Sequence, residues 1–270
     1  ACALYTLPVR FPQDVTAAAE LLLGRVRRTP IERSPALEGG SGARVWLKLE
    51  NLQETGSFKL RGAFHKLLSL DEEARARGVV AASTGNHGAG VAAAAAALGV
   101  RATIFAPETA DPSKLEGVRQ RGAEVRQVGD DCLVAEAAAR EEASASGLTY
   151  VSPYNDPDVV SGQGTLGWEL DEDLEDLDAV FISMGGGGLL GGVGGYLKSR
   201  RPELEVVACS PENSCVMHRS LAATLSSYRQ ETALDDTLRA YDRRLFFSKL
   251  PMFVVLILIA VVILYYVVTL

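Results

Sequence analysis

The segment Glu50-Asn51-Leu52-Gln53-Glu54-Thr55-Gly56-Ser57-Phe58-Lys59-Leu60-Arg61-Gly62 decides how this chain is read. An extended stretch ends at the Gly56-Ser57 turn, and Lys59 falls in the first turn of a helix expected over 58–70. A helix start carries partial positive charge. That field, with partial burial beside Phe58, predicts a lowered lysine pKa. An amine that is neutral near pH 7 can attack a carbonyl and form a Schiff base. A lone lysine after Gly-Ser is more often a solvated residue of an amphipathic helix, so the reading rests on two further segments.

The first is Ala82-Ser83-Thr84-Gly85-Asn86-His87-Gly88, between an apolar run at 78–81 and an alanine-rich helix expected over 91–98. Small residues, hydroxyls and backbone N–H groups at a helix start suit an anion such as a carboxylate. Asn86 adds a neutral side-chain donor. The same loop also reads as plain N-capping by Ser83 and Thr84, and His87 alone as a packed ring. The second is Gly185-Gly186-Gly187-Gly188, between a strand expected over 179–184 and a helix over 189–198. With no Cβ in the way, several N–H groups can face one phosphate. Gly186, Gly188 and Gly191 also satisfy G-x-G-x-x-G, the dinucleotide fingerprint. That reading wants an acid closing the next strand, where Ser210 stands, with Glu212 beyond it.

Together these segments resemble the fold-type-II pyridoxal-phosphate enzymes, and among them the serine/threonine dehydratase and serine racemase group. Arg28-Thr29-Pro30, Ser34-Pro35, Asp156-Pro157, Gly162-Gln163-Gly164-Thr165 and Pro211-Glu212-Asn213-Ser214 support the match. It runs in order from about residue 10 to about residue 224. The resemblance implies a two-lobed α/β fold like the tryptophan synthase β chain, with a smaller lobe of about 50–150 inserted in a larger one. It implies pyridoxal 5'-phosphate as cofactor, held by Lys59 as a Schiff base beside Phe58. Asn86 would meet the ring oxygen, and Gly185, Gly186, Gly187 and Gly188 the phosphate. Ser83, Thr84, Asn86 and His87 would surround the substrate carboxylate. Lys59 would move the Cα proton of a hydroxy amino acid such as L-threonine or L-serine, giving a 2-oxo acid and ammonia. The resemblance also implies a homodimer.

Three departures qualify these expectations. Thr84 stands where serine racemases carry a catalytic serine, which favours elimination over racemisation. Neither Ser210 nor Val216 is acidic, so the family's divalent-metal site is not expected. The match ends near Ala223-Thr224, before the last strands and the Ser or Thr that faces the pyridine nitrogen. A polar, helix-compatible linker is expected over 226–250, then an apolar run from Met252 to Val268. As a helix, 251–270 is long enough to cross a bilayer. Arg243, Arg244 and Lys249 precede it and nothing basic follows, which predicts a tail-anchored protein with its globular part in the cytosol. The run is also rich in Val and Ile, so a buried strand pair is the structural alternative. A shortened domain on a membrane anchor leaves a second functional class open, a catalytically inactive pseudoenzyme or fusion product.

The 270 residues suffice for two α/β lobes, and the net charge of −7, without a basic stripe before 243, argues against nucleic acid. Cys2, Cys132, Cys209 and Cys215 show no zinc-site spacing and read as free thiols. The N-terminal residues lack the basic and apolar regions of a secretory signal. Strands expected at 43–49, 79–82, 102–106, 124–128, 149–151, 179–184 and 206–209 alternate with helices. That alternation predicts parallel sheet covered on both faces. The acidic run 170–176 reads as a solvated helix end or loop.

Overall fold

A computed structural model describes residues 9–39 and 42–212, together with Met217, Arg219 and a strand at Phe253–Ile257. The elements run α1 (Gln13–Leu22), β1 (Ile31–Arg33), α2 (Pro35–Glu38), β2 (Arg44–Lys48), a single 3-10 turn at Glu50–Leu52, α3 (Lys59–Ser69) and α4 (Glu72–Arg77). Then come β3 (Val79–Ala82), α5 (Asn86–Leu98), β4 (Ala102–Ala106), α6 (Pro112–Arg119), β5 (Glu124–Gln127), α7 (Cys132–Ser146) and β6 (Thr149–Tyr150). The chain continues through α8 (Pro157–Asp173), β7 (Ala179–Ser183), α9 (Gly188–Arg200), β8 (Glu205–Cys209) and β9 (Phe253–Ile257).

Two sheets result, in the orders β1-β2-β9-β7-β8 and β5-β4-β3-β6. Only β1 and β2 pair antiparallel among the described ladders. The chain starts the first sheet, leaves it after β2 to build the whole second sheet, and returns at β7. The second sheet is thus a smaller lobe inserted in the first. One core gathers Leu60, Phe64, Val91, Ile104 and the buried alanines Ala92–Ala95 of α5 against the smaller sheet. The other packs Leu166, Leu170, Val193 and Leu197 of α8 and α9 on Val180 and Ile182 of β7.

The helix carrying Lys59 is pressed onto α8. A Cβ on Gly62 would lie 2.7 Å from the Val159 carbonyl, and one on Gly162 2.7 Å from the Gly62 Cα, so each helix needs glycine at the crossing. Polar ties flank this contact. Lys66 bridges Asp156 and Asp158 at 2.9 and 3.0 Å, and Asp156 caps α8 by accepting from the Asp158 and Val159 amides. The acidic run is less free than expected: α8 continues to Asp173, Asp171 accepts from Arg200 and Arg201, and Arg28 pairs with Glu172 and Asp173.

The C-terminal expectation needs correction. Phe253–Ile257, placed by sequence inside a membrane helix at 251–270, is instead a strand between β2 and β7, parallel to both. Among the described residues no helix is long and apolar enough to cross a membrane. The physical reason is that a central parallel strand, covered on both faces, is itself an uninterrupted apolar run, and Val and Ile favour it. The rest of that run and the linker at 226–250 lie outside the described residues. Val255 pairs with Trp46 on one side and Val180 on the other. Val255→Pro should therefore remove a ladder bond and lower unfolding free energy by roughly 2 kcal/mol or more in urea titrations. A membrane-helix role predicts no such loss, and flotation of the full chain with lipid vesicles then separates the two readings.

Candidate active site

Lys59 begins α3 and is partly buried. Its Nζ donates to the Pro153 carbonyl at 3.1 Å and lies 5.1 Å from the centre of the Phe58 ring. Burial pushes the amine down to about 8. The direction matches the expectation from sequence; desolvation supplies the cause, since the charged form loses its water. Phe58 itself is buried in the core of the larger lobe with Leu166 and Leu189.

The first turns of α5 meet Lys59 through backbone contact. A Cβ on Gly90 would stand 3.1 Å from the Lys59 carbonyl carbon and 3.2 Å from the Leu60 nitrogen. Ser83 Oγ accepts from the Gly85 amide at 3.1 Å. Asn86 is exposed, and Thr84 lines a cleft of about 360 Å³ with Pro107, Thr109, Lys114 and Asp130.

His87 behaves differently from its neighbours. The residue is 4% exposed, and Nε2 lies 2.9 Å from the Val151 carbonyl. A carbonyl only accepts, so Nε2 carries the hydrogen and Nδ1 the lone pair. Nδ1 is buried with no partner. Desolvation, then the nearby Lys59 charge, push the ring down to about 3. The neutral ring therefore has no spare N–H for a carboxylate.

The glycine turn closes the site. Gly187 has φ +89°, a left-handed conformation suited to glycine, and caps α9 without a side chain. The N–H groups of the first α9 turn have no acceptor within the helix. A Cβ on Gly186 would collide with the Tyr154 ring, and one on Gly188 would be 3.1 Å from the Pro153 carbonyl oxygen. That oxygen is the one bound by Lys59. The amine and the glycine turn thus meet at a single peptide, Pro153-Tyr154. The sequence reading left out Pro153 and Tyr154. Nothing local marks them, because their place comes from the return of the chain to the larger lobe.

Two residues beyond Lys59 lies a charge cluster the sequence reading also missed. Arg61, 1% exposed, bonds Glu50 at 2.8 Å and Glu169 at 2.6 Å, and Lys48 reaches Glu169 at 2.5 Å. Burial opposes the Arg61 charge, and Glu50 and Glu169 outweigh it, holding its pKa above the usual value. Burial holds Lys48 below its usual value despite Glu169.

Comparison with known proteins agrees with this geometry. Residues 22–245 match the family model described as pyridoxal-phosphate dependent enzyme. The match continues past Ala223-Thr224, where the motif resemblance was expected to stop. The L-threonine ammonia-lyase of Thermotoga maritima is 45% identical over 209 residues, covering 77% of this chain and 52% of that protein. The catabolic L-threonine dehydratase of Escherichia coli is 38% identical over 233 residues, covering 86% of this chain and 70% of that protein. This chain thus spans about half the length of the first relative and more of the second. Among solved structures, the serine racemase of Dictyostelium discoideum superposes with a TM-score of 0.74 at 33% identity, covering 78% of this chain and 69% of that one. The processed form of threonine deaminase isoform 2 from Solanum lycopersicum superposes with a TM-score of 0.69 at 36% identity, covering 74% of this chain and 54% of that one. With the family model matching 22–245 and the lysine, asparagine loop and glycine turn gathered at one site, the chain belongs to the pyridoxal-phosphate dependent enzymes.

Proposed function

We propose that this chain carries the site of an eliminating lyase that converts a small hydroxy amino acid, L-threonine or L-serine, into a 2-oxo acid and ammonia. The observation that carries the reading is the Lys59 amine, buried, half neutral near pH 8, and bonded to the carbonyl that also touches the glycine turn. The residues fit pyridoxal phosphate: an amine for its aldehyde, a glycine turn with open space at Gly185 and free N–H groups at the start of α9, and the exposed Asn86 amide for its ring oxygen. Lys59 would hold the group, the backbone at Gly185, Gly186, Gly187 and Gly188 its phosphate, and Phe58 a flank near the amine. When bound, that group supplies the electron sink for the pair left at Cα.

The chain's own residues supply position and protons. N–H groups at the start of α5, with Ser83, Thr84 and Asn86, orient the substrate carboxylate. His87 contributes there through its main chain, since its ring is committed to Val151. The neutral Lys59 amine takes the Cα proton, and its pKa of about 8 suits a base working near neutral pH. Thr84, which stands where serine racemases carry a catalytic serine, adds a methyl to the hydroxyl, which favours elimination over racemisation. A homodimer is part of this proposal. A membrane location has only the apolar run at 252–268 behind it.

The test is chemical. The protein is incubated with pyridoxal phosphate, reduced with borohydride and digested. The pyridoxyl label is expected on the peptide holding Lys59, and threonine is expected to yield 2-oxobutanoate. A label elsewhere refutes the site. A Lys59 label without 2-oxo acid from threonine or serine refutes the activity and assigns a non-catalytic cofactor-binding protein.

A further inference from the structure

The peptide at Pro153-Tyr154 is shared by three parts of the molecule. The Pro153 carbonyl accepts from Lys59. The Tyr154 ring covers Gly186, and its Cα would stand 3.0 Å from a Cβ on Gly188. Its phenol donates to Glu136 Oε2 at 3.2 Å. Glu136 belongs to α7, which packs on β3 and β4 of the smaller lobe. That carboxylate is itself steered: Arg140 donates to Glu136 Oε1 at 2.7 and 3.0 Å, and the Arg140 cation sits 4.2 Å from the centre of the Tyr150 ring. Glu136 therefore offers one oxygen to Arg140 and the other to Tyr154. On the far side the phenol ring rests on a turn with no side chains of its own. The backbone bond from Gly191 N to Gly187 O ties the turn to α9, and the Tyr154 ring covers its face at Gly186.

We propose that Tyr154 is a positioning residue: its phenol, anchored by Glu136, clamps the glycine turn at 185–188 in the shape that receives phosphate, and so couples the smaller lobe to the cofactor cradle. The inference rests on the reading of that turn as the phosphate site. Charge and geometry both serve the clamp. A hydrogen bond to a carboxylate is stronger than one to a neutral acceptor. The ring supplies a flat, stiff cover over backbone that a flexible side chain would not hold.

Two readouts test it, the first without cofactor. Amide hydrogen exchange is followed in the peptide 184–191 of Tyr154→Phe, Glu136→Leu and Glu136→Gln. Tyr154→Phe and Glu136→Leu should exchange faster there by about tenfold, the scale of one hydrogen bond. Glu136→Gln keeps an acceptor and should stay within about threefold of the parent. In the second readout, release of pyridoxal phosphate from the holoprotein is timed by its absorbance, with the same order expected among variants. Unchanged exchange at 184–191 in both Tyr154→Phe and Glu136→Leu overturns the clamp. Faster exchange in those variants, with no protection of 184–191 by pyridoxal phosphate in the parent, upholds the clamp and refutes the phosphate-site reading instead.

Discussion

Lys59→Ala is expected to remove the visible absorbance band of bound pyridoxal phosphate and to cut 2-oxo acid release by about 10³-fold or more, since loss of a positioned acid-base group alone costs about 10²–10⁴. Lys59→Arg should fail as badly. A guanidinium keeps the positive charge but does not deprotonate in proteins, so a purely electrostatic role would survive this change and a nucleophilic one would not. The amine also leaves a signature in stability. Its folded value of about 8 lies below the usual 10.5, so the fold disfavours the charged form. At pH below 8 that penalty is present in full, and it fades as pH rises from 8 to 10.5. Cofactor-free protein should therefore gain on the order of 2–3 kcal/mol across that window. Lys59→Met should flatten the gain in urea titrations at pH 7.5 and 10. A parallel rise in the variant would mean that other groups produce it.

Arg61→Ala is expected to cost about 3–5 kcal/mol, because it leaves Glu50 and Glu169 buried with Lys48 as their one remaining cation in the cluster. In the parent, two cations and two anions balance within the fold. The guanidinium also donates to the Thr165 hydroxyl and the Arg27 carbonyl, so five donors find partners in one planar fork. Arg61→Lys should recover only part of the loss, since an ammonium is a point charge without that fork. The cluster also bears on the site. It ties α3 to the 3-10 turn and to α8 two residues from the reactive amine, so a variant that still folds should bind cofactor more weakly. Thermal and urea unfolding give the measure. A loss under about 1 kcal/mol for Arg61→Ala would mean that water replaces the guanidinium and the cluster is not sealed.

Most of the secondary structure was legible in the sequence for a simple reason. Strands at 79–82 and 102–106 and the helix opening at Lys59 are bounded by local signals: apolar runs and glycine turns, with aspartate caps at α4, α6, α7 and α8. The elements passed over were short or lacked contrast. β1 has three residues with mixed burial, and α4 is a six-residue helix of mostly charged residues. The strand at 253–257 was read as membrane helix because a long apolar run carries no period, and helix and strand are then told apart only by their neighbours. His87 shows the same limit at a single side chain. Its place in the motif was plain, but its ring direction depended on a carbonyl 64 residues away.

By itself the sequence determined where the candidate site lies: a lysine at a helix start, an asparagine loop and a glycine turn are short-range patterns, each made by neighbouring residues. Tertiary structure alone decided which groups answer them. The Pro153-Tyr154 hub, the Glu136 anchor, the buried Arg61 cluster and the strand at 253–257 join residues far apart in the chain. Their energies come from desolvation and packing, which exist only once distant segments exclude water from one another.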